Sequence, residues 1–146
     1  MDEFRDLEDR IVLRRVWKNE TASLNTQYIY DDFGNLCYII PPKYTSSSII
    51  DNNVEFNELI YAYKYDNSNR VIKKKNPGKG WEWIVYNLND QPILMQDSVQ
   101  RAKGLNEWHY TKYDGLGRII ESGILIASYS TQKIAQDAAN AAIHSM

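Results

Sequence analysis

The chain has 146 residues, 43% of them hydrophobic, and its formal net charge is −2. This length suits one domain with a packed core, and the small acidic charge argues against a protein built as a whole to bind nucleic acid. No apolar run approaches the roughly 20 residues of a membrane helix. The acidic start Met1-Asp2-Glu3 cannot be the basic first region of a signal peptide, and the lone Cys37 excludes an internal disulfide.

A seven-residue phrase recurs along the chain, which predicts a repeat array. Its clearest copies are Tyr30–Leu36 and Tyr113–Ile119, and three more divergent copies begin at residues 5, 65 and 86. We number the phrases 1 to 5 in chain order and their positions 1 to 7; they cover Arg5–Ile11, Tyr30–Leu36, Tyr65–Val71, Tyr86–Pro92 and Tyr113–Ile119. Their spacing predicts one hairpin per repeat, with insertions in two of the connections.

Two positions of every phrase carry residues suited to a tight turn. Position 5 is always Gly, Asn or Asp, the types that most readily adopt positive φ. Position 2 is always Asp or Asn, whose side chain accepts hydrogen bonds from backbone N–H groups two residues on. Together they predict a type I turn closed by a left-handed residue, at the tip of a hairpin with a G1 bulge. The predicted turn-defining residues are Asp31, Gly34, Asp66, Asn69, Asp90, Asp114 and Gly117.

The segments beside the phrases read as strands. Tyr28–Tyr30 leads into phrase 2 and Leu36–Ile40 leads out of it, both rich in aromatic or β-branched residues. Alternation places Tyr61, Tyr63 and Tyr65 on one face of a strand, opposite a more polar row. Cross-strand aromatic pairs stabilise such faces, so we expect most of the eleven tyrosines and four tryptophans to pack in a core.

The connections that follow phrases 2 and 3 differ in length. The insertion at about residues 42–60 follows Pro41 and Pro42, which end the strand before it, and Val54–Ile60 within it favours a short helix. Asn76–Gly80 is a tight turn that joins the predicted strands Val71–Lys75 and Trp81–Tyr86. We therefore expect the array to continue on both sides of the insertion.

The tail changes character at about Ser130, with several alanines and no Gly or Pro up to Ser145. This predicts a helix with Ser130 or Thr131 as N-cap. Its apolar stripe of Ile134, Ala138 and Ala141 or Ala142 is thin, which predicts weak docking. The predicted fold is mainly all-β: about five antiparallel hairpins in a twisted sheet segment over residues 1–127, with a short helical insertion, then a C-terminal helix over residues 128–146.

Reactive side chains are few. The two histidines, His109 and His144, are not spaced in the sequence as metal ligands usually are. With only one cysteine, the chain cannot form a structural zinc site from histidine and cysteine alone. Most aspartates are explained by turn chemistry, and Gly78-Lys79-Gly80 lacks the other glycines of a phosphate loop and its helix. We predict no catalytic, cofactor-binding or metal-binding residue, and therefore no enzyme.

Two surface sites have both a functional and a structural interpretation. The basic run Arg70, Lys73, Lys74, Lys75 and Lys79 near Trp81 and Trp83 could form a polyanion patch, although lysines that protect a strand edge or solvate an outer face explain it better. Trp81, Trp83, Trp108 and Tyr110 could offer flat apolar faces to a sugar ring. Packing is the favoured alternative for these four aromatics, because large rings are readily buried.

Tyr-Asp-x-x-Gly-Arg hairpins in series resemble the YD-repeat proteins of the bacterial rearrangement-hotspot (Rhs) family, related to animal teneurins. The segments Asn76–Glu82, Gln96–Lys103 and Tyr30–Leu36 also look like parts of large bacterial YD-repeat proteins, and the resemblance covers residues 3 to about 125. It implies a very long chain whose hairpins join edge to edge, often as a hollow shell around a C-terminal toxin. Several phrases depart from the motif, and neither the Asp-Pro-x-Gly junction of many members nor a toxin domain is visible.

The resemblance therefore implies a structural segment of an exported or surface-displayed bacterial protein, forming a wall that encloses or presents a cargo or toxin. Its partners would be neighbouring repeats of the same long chain, and an isolated segment with two open sheet edges should tend to self-associate. A binding module for glycans or another cell-surface partner is the alternative. No cofactor, nucleic acid or membrane insertion is expected.

Overall fold

The computed structural model describes residues 1–51 and 53–144. It divides into two compact units, Met1–Lys64 with Lys75–Lys79 and Tyr65–Lys74 with Gly80–Met146. Within the described part of the chain the backbone forms ten strands and three helices. All pairings are antiparallel, and within each unit neighbouring strands of the sheet are consecutive in the chain. This confirms the predicted mainly β array with a helical insertion and a C-terminal helix.

Each phrase lies between two consecutive strands and forms a hairpin tip. The strands are β1 Asp2–Arg5, β2 Ile11–Trp17, β3 Ser23–Tyr30, β4 Leu36–Ile40, β5 Tyr61–Tyr65, β6 Val71–Lys75, β7 Glu82–Tyr86, β8 Pro92–Gln96, β9 Glu107–Tyr113 and β10 Ile119–Ile126. The pairing register shifts beside phrases 1, 2, 4 and 5, as a bulge next to the turn requires. The phrase therefore sets the hairpin boundaries along the whole array.

The helical insertion contributes the core of the first unit. Helix α1, Val54–Leu59, begins at Asn53, whose side chain accepts a hydrogen bond from the backbone N–H of Phe56. Phe56 is fully buried with Ile60 and Ala62, and its ring lies 6.4 Å from that of Tyr38. On β5 the fully buried residue is thus Ala62, on the face opposite Tyr61, Tyr63 and Tyr65. The tyrosines of β5 therefore do not form the core of this unit. The core contains Ala62 from the opposite face of the strand, together with Phe56 of α1 and Ile60.

A buried cluster of Val85, Leu94, Trp108 and Ala135 forms the core of the second unit. Ala135 belongs to helix α3, Gln132–His144, which packs on β7. The N–H of Ile134 donates to Thr131 Oγ1 at 3.2 Å, so Thr131 is the capping side chain. Ser145 and Met146, at the end of the predicted helical segment, lie outside the described residues.

The face by which α3 docks differs from the predicted one. Ala135 is buried and Ala139 packs against the core, whereas Ile134 of the predicted stripe is half exposed. Two glutamines one helical turn apart complete the contact: Gln132 Nε2 donates to the Ile84 carbonyl at 2.8 Å, and Gln136 both accepts from the Tyr86 N–H and donates to the Tyr86 carbonyl, at 2.9 and 2.7 Å. The predicted stripe is wrong because hydrogen bonds to the β7 backbone, rather than apolar area alone, orient the helix.

A third helix was absent from the predicted elements. Helix α2, Ser98–Ala102, begins at Asp97, where the Asp97 and Gln100 side chains cap each other's backbone N–H groups. The spacing Asp-x-x-Gln is a signal for this capping box. The helix is so short that composition and periodicity do not reveal it.

Candidate functional site

The second residue of every phrase organises its turn. Its side-chain Oδ1 accepts two backbone hydrogen bonds of 2.8–3.0 Å, from the N–H groups of positions 4 and 6. The residues that do so are Asp6, Asp31, Asp66, Asn87 and Asp114. The backbone N–H of position 2 also donates to the carbonyl of position 6. One short side chain thus holds the whole loop.

The fifth residue of every phrase lies in the left-handed region. Its φ is 63° at Asp9, 83° at Gly34, 58° at Asn69, 59° at Asp90 and 80° at Gly117. The N–H of this residue donates to the carbonyl of position 2. Only Gly, Asn and Asp tolerate this φ at low cost, which accounts for the residue types at this position.

Positions 2 and 6 also form a side-chain pair within each phrase. Arg10, Arg70 and Arg118 donate through Nε to the aspartate of their own phrase at 2.6, 2.8 and 2.7 Å. Phrase 2 replaces the arginine by Asn35, and phrase 4 pairs the neutral Asn87 with Gln91 at 2.9 Å. The pairing therefore survives when both charges are absent.

These contacts lower the pKa values of the turn aspartates. For Asp114, the Arg118 N–H has the largest effect, followed by the Arg118 guanidinium, and both lower the pKa. For Asp66, burial acts in the opposite direction and raises the pKa, but the N–H and guanidinium of Arg70 outweigh it. The contacts thus favour the charged form of these carboxylates.

Within each unit, successive phrases are joined by the tyrosine at position 1 of the later phrase. At the three junctions that lie within one unit, this hydroxyl donates to the carbonyl of position 7 of the preceding phrase. Tyr30 donates to Ile11 at 3.0 Å, Tyr86 to Val71 at 2.7 Å, and Tyr113 to Pro92 at 2.9 Å. The same bond recurs across different phrases, so it is a property of the repeat.

The arginine at position 6 lies on the ring of that next tyrosine. The guanidinium carbon is 4.9 Å from the ring centre in both Arg10–Tyr30 and Arg70–Tyr86, within the range of a cation–π contact. Arg70 Nη1 also bonds Asp90, the position 5 residue of the next phrase, at 2.8 Å. We call the tyrosine hydroxyl bond and the arginine contact together the latch between phrases.

The side chain at position 6 also leaves little room for a Cβ at the glycines in position 5 of the next phrase. A Cβ on Gly34 would lie 3.2 Å from Arg10 Nη1, and a Cβ on Gly117 would lie 3.0 Å from Gln91 Nε2. The latch was not predicted from the sequence. The available signal was the recurrence of Tyr at position 1 in four phrases and of Arg at position 6 in three.

The four aromatic residues predicted as a glycan or packing platform mostly contact other residues of the protein. Trp108 is fully buried, its Nε1 donates to the Ala127 carbonyl at 3.1 Å, and its ring lies 6.1 Å from Trp83 and 5.8 Å from Tyr129. Trp108 therefore offers no face to a sugar, and packing explains it. The Tyr110 hydroxyl donates to Glu121, which raises the pKa of this phenol.

The remaining two tryptophans belong to a contact between two segments of the second unit. Arg101 of α2 lies 4.2 Å from the Trp83 ring centre and donates to the carbonyls of Trp81 and Gln96. A Cβ on Gly80 would lie 2.5 Å from Ser98 Cβ, so only glycine fits there. Residues 80–83 thus pack on residues 96–101 within this unit.

The basic run is largely paired. Arg70 bonds Asp66 and Asp90, Lys74 lies 3.5 Å from Glu82, and Lys73 Nζ is 5.5 Å from the Trp83 ring centre.

Lys75, expected on an edge or outer face, is instead 1% exposed. Its Nζ donates to the carbonyls of Phe56, Asn57 and Ile60 at 3.1, 2.7 and 3.3 Å. The lysine thus caps the carbonyl end of α1, where a cation is favoured.

The other reactive side chains stand apart from one another. His109 is exposed on β9, opposite Met95 and Ile124 in the pairing register. Cys37 is half-buried on β4, and burial raises the pKa of its thiol, which disfavours the nucleophilic form.

Among residues 1–51 and 53–144, no group of three or more His, Cys, Asp or Glu side chains is placed to hold a metal ion. No helix in these ranges is long and apolar enough to cross a membrane.

Comparison with known proteins yields structural likeness without sequence likeness. No protein-family model and no curated protein matches the chain. Solved structures do match: the crystal structures of TcdB2-TccC3-TEV and of TcdB2-TccC3 without hypervariable C-terminal region each align with a TM-score of 0.61 at 14% identity. The crystal structure of TcdB2-TccC3 aligns with a TM-score of 0.59 at 14% identity. Each alignment covers 88% of this chain but only 6% of the matched chain, so this fold recurs as a small part of much longer proteins.

Proposed function

We propose that this chain is a structural segment of a large bacterial YD-repeat, Rhs-like protein that is exported or displayed at the cell surface. Its hairpins would form part of a β-sheet wall that encloses or presents a cargo or toxin. The observation that carries the proposal is the tyrosine hydroxyl bond of the latch, which joins Tyr30 to Ile11, Tyr86 to Val71 and Tyr113 to Pro92. The conspicuous side chains of the chain hold hairpins together, and the proposal assigns no catalytic role.

The similar structures support the proposal because the same fold occupies 6% of chains far longer than this one. In repeat proteins each repeat is stabilised mainly by contacts with the neighbouring repeats. The hydrogen bonds and arginine contacts between successive phrases fit this pattern. The glycan-binding alternative has weaker support, because Trp108 is buried and Trp83 is stacked against Arg101.

An immunoblot of the source cells, fractionated into medium, envelope and cytosol, tests the proposal. An antibody against this chain should detect a band far above 17.0 kDa in the medium or envelope. A band near 17.0 kDa confined to the cytosol would overturn it and indicate a free-standing intracellular protein.

A further inference from the structure

A small cavity of the second unit lies outside the repeat phrases. It has a volume of about 210 Å³. The residues that line it are Trp83, Gln96, Arg101, Asn106, Tyr129 and Ser130. Asn106 and Ser130 are exposed, whereas Gln96 is only 4% exposed, so the cavity has a rim at the surface and a buried floor. None of the six residues belongs to a phrase, so the turn and latch chemistry does not account for them.

The floor of the cavity carries a hydrogen-bond acceptor that the protein does not use. Gln96 Nε2 donates to the Glu107 carbonyl at 2.9 Å. Because a carbonyl oxygen can only accept, this bond fixes which end of the amide faces Glu107 and leaves Oε1 on the other side. Oε1 is buried, and no residue in the ranges 1–51 and 53–144 donates to it. Since buried polar atoms are nearly always hydrogen-bonded, Gln96 offers an acceptor to a donor that enters the cavity.

The wall of the cavity carries a cation. Arg101 lies 4.2 Å from the Trp83 ring centre and donates to the carbonyls of Gln96 and Trp81 rather than to a carboxylate. Burial lowers the pKa of Arg101, and Asp97 offsets this effect only in part. No acidic side chain lines the cavity. The electrostatics of the cavity therefore favour an anion over a cation or a neutral molecule.

Aromatic rings from the core fix the shape of the cavity. The Trp108 ring lies 6.1 Å from that of Trp83 and 5.8 Å from that of Tyr129. The Tyr129 N–H also donates to the Ala127 carbonyl at 2.9 Å. Apolar walls with a few fixed polar groups are typical of small-molecule sites, and a preformed site costs little ordering when a ligand binds.

We propose that this cavity binds a small hydroxycarboxylate. The carboxylate lies beside Arg101, the hydroxyl donates to Gln96 Oε1, and the carbon skeleton lies against Trp83. A hydroxyl suits the site better than an ammonium group, because the lining has no carboxylate to balance a second cation. At about 30 Å³ per water, the volume equals roughly seven waters, which suits a ligand of the size of lactate or glycerate. This binding role goes beyond the proposed structural function and does not depend on it.

The test is a titration of the full chain with racemic lactate, followed in NMR spectra through the side-chain amide of Gln96 and the indole of Trp83. Both signals should shift saturably. Propionate lacks only the hydroxyl, and lactamide replaces the carboxylate by a neutral amide. Each should bind about tenfold more weakly than lactate, as expected when one hydrogen bond is lost. Because this series uses the unaltered chain, no substitution can confuse its outcome.

A pair of variants checks the position of the ligand. Ser130→Phe places a ring at the exposed rim of the cavity and should abolish the saturable shifts. Ser68→Phe is the matched control, because phrase 2 has Phe33 at the same turn position and the substitution lies outside the cavity. It should leave lactate binding unchanged. Urea denaturation shows whether each variant is folded.

Absence of saturable shifts with lactate would show that the cavity holds only water and would overturn the proposal. Equal binding of lactate and propionate would remove the role of Gln96 Oε1, and equal binding of lactate and lactamide would remove that of Arg101. Either result overturns the assignment to a hydroxycarboxylate. The same shifts with sodium chloride would indicate an adventitious ion only. Retained binding in a folded Ser130→Phe variant would place the ligand elsewhere.

Discussion

The guanidinium of Arg70 lies over the ring of Tyr86 while the hydroxyl of the same tyrosine donates to the carbonyl of Val71, the residue after the arginine. Arg70 is also bonded to Asp66 behind it and to Asp90 ahead of it. One arginine thus completes its own turn and fastens the next one. This relationship links the local turn chemistry to the cohesion of the array.

Replacing Gly117 with a β-branched residue is predicted to destabilise the protein. The Gly117 φ of 80° is unfavourable for a β-branched side chain, and a Cβ there would lie 3.0 Å from Gln91 Nε2. Gly117→Val should reduce the free energy of unfolding by more than about 1 kcal/mol, measured by urea denaturation. Gly115→Val is the matched control, because a Cβ at Gly115 has no neighbour within 4 Å and its φ is not positive. Equal effects of the two substitutions would contradict a left-handed requirement at Gly117.

Stability should fall in acid because of the turn aspartates. The pKa values of Asp6, Asp31, Asp66 and Asp114 are all lowered from the ordinary 3.8 in the folded protein. Groups of this kind contribute stability that is fully present above the unfolded-state pKa and lost as the pH falls through the lower folded-state values. Denaturation midpoints should therefore be constant between about pH 5 and 7 and drop below about pH 4.

Asp114→Asn isolates one of these groups, because Asn87 shows that an amide accepts the same two turn N–H groups. The variant should fold at pH 7 and show a shallower decline of the midpoint in acid. An unchanged slope below about pH 4 would show that Asp114 does not contribute to the acid sensitivity.

Trp108 is predicted to act through packing. Truncating a fully buried tryptophan costs about 3–5 kcal/mol, so Trp108→Ala should lower the urea midpoint severely or prevent folding. Trp17→Ala removes a tryptophan that is 48% exposed and should have a small effect. A normal midpoint for the Trp108 variant would contradict its placement in the core and would restore the case for a binding role.

Lys75 is predicted to stabilise the first unit although it belongs to a run of basic residues. Lys75→Met keeps the apolar stem but removes the ammonium that donates to the carbonyls of Phe56, Asn57 and Ile60. The Phe56 and Asn57 carbonyls keep the N–H groups of Ile60 and Gly78 as donors. Hydrogen bonds to a charged group contribute about 1.5–3 kcal/mol to stability, and urea denaturation should show a loss in this range. Lys43→Met, at an exposed position, provides the comparison. A loss of similar size in both variants would refute the capping role of Lys75.

The parts of the fold that local chemistry determines were predictable from the sequence. Positive φ at position 5 restricts the residue types to Gly, Asn and Asp, and Gly34, Asn69 and Asp90 therefore stand out at a fixed place in each phrase. The strands beside them follow from aromatic and β-branched composition. The end of β4 follows from Pro41 and Pro42, and the helix of the insertion follows from the sequence of Val54–Ile60.

Contacts between distant residues were not predictable in this way. The latch joins Arg10 to Tyr30 and Arg70 to Tyr86 across intervening strands, and neither residue is unusual on its own. Helix α3 docks through Gln132 and Gln136, which an amphipathicity argument places on the polar face. Lys75 is buried because the end of α1 supplies carbonyls, a partner that no local pattern around the lysine reveals.

A double-mutant cycle between Arg70 and Tyr86 tests most directly whether the latch holds successive hairpins together. Arg70→Met, Tyr86→Leu and the double variant would be compared by urea denaturation, with Arg10→Met as the control partner because Arg10 stacks on Tyr30 instead. The account predicts a coupling of about 1 kcal/mol for Arg70 with Tyr86. Arg10 with Tyr86 should be additive within about 0.3 kcal/mol. Additivity for Arg70 with Tyr86 as well would show that the arginine does not fasten one phrase to the next.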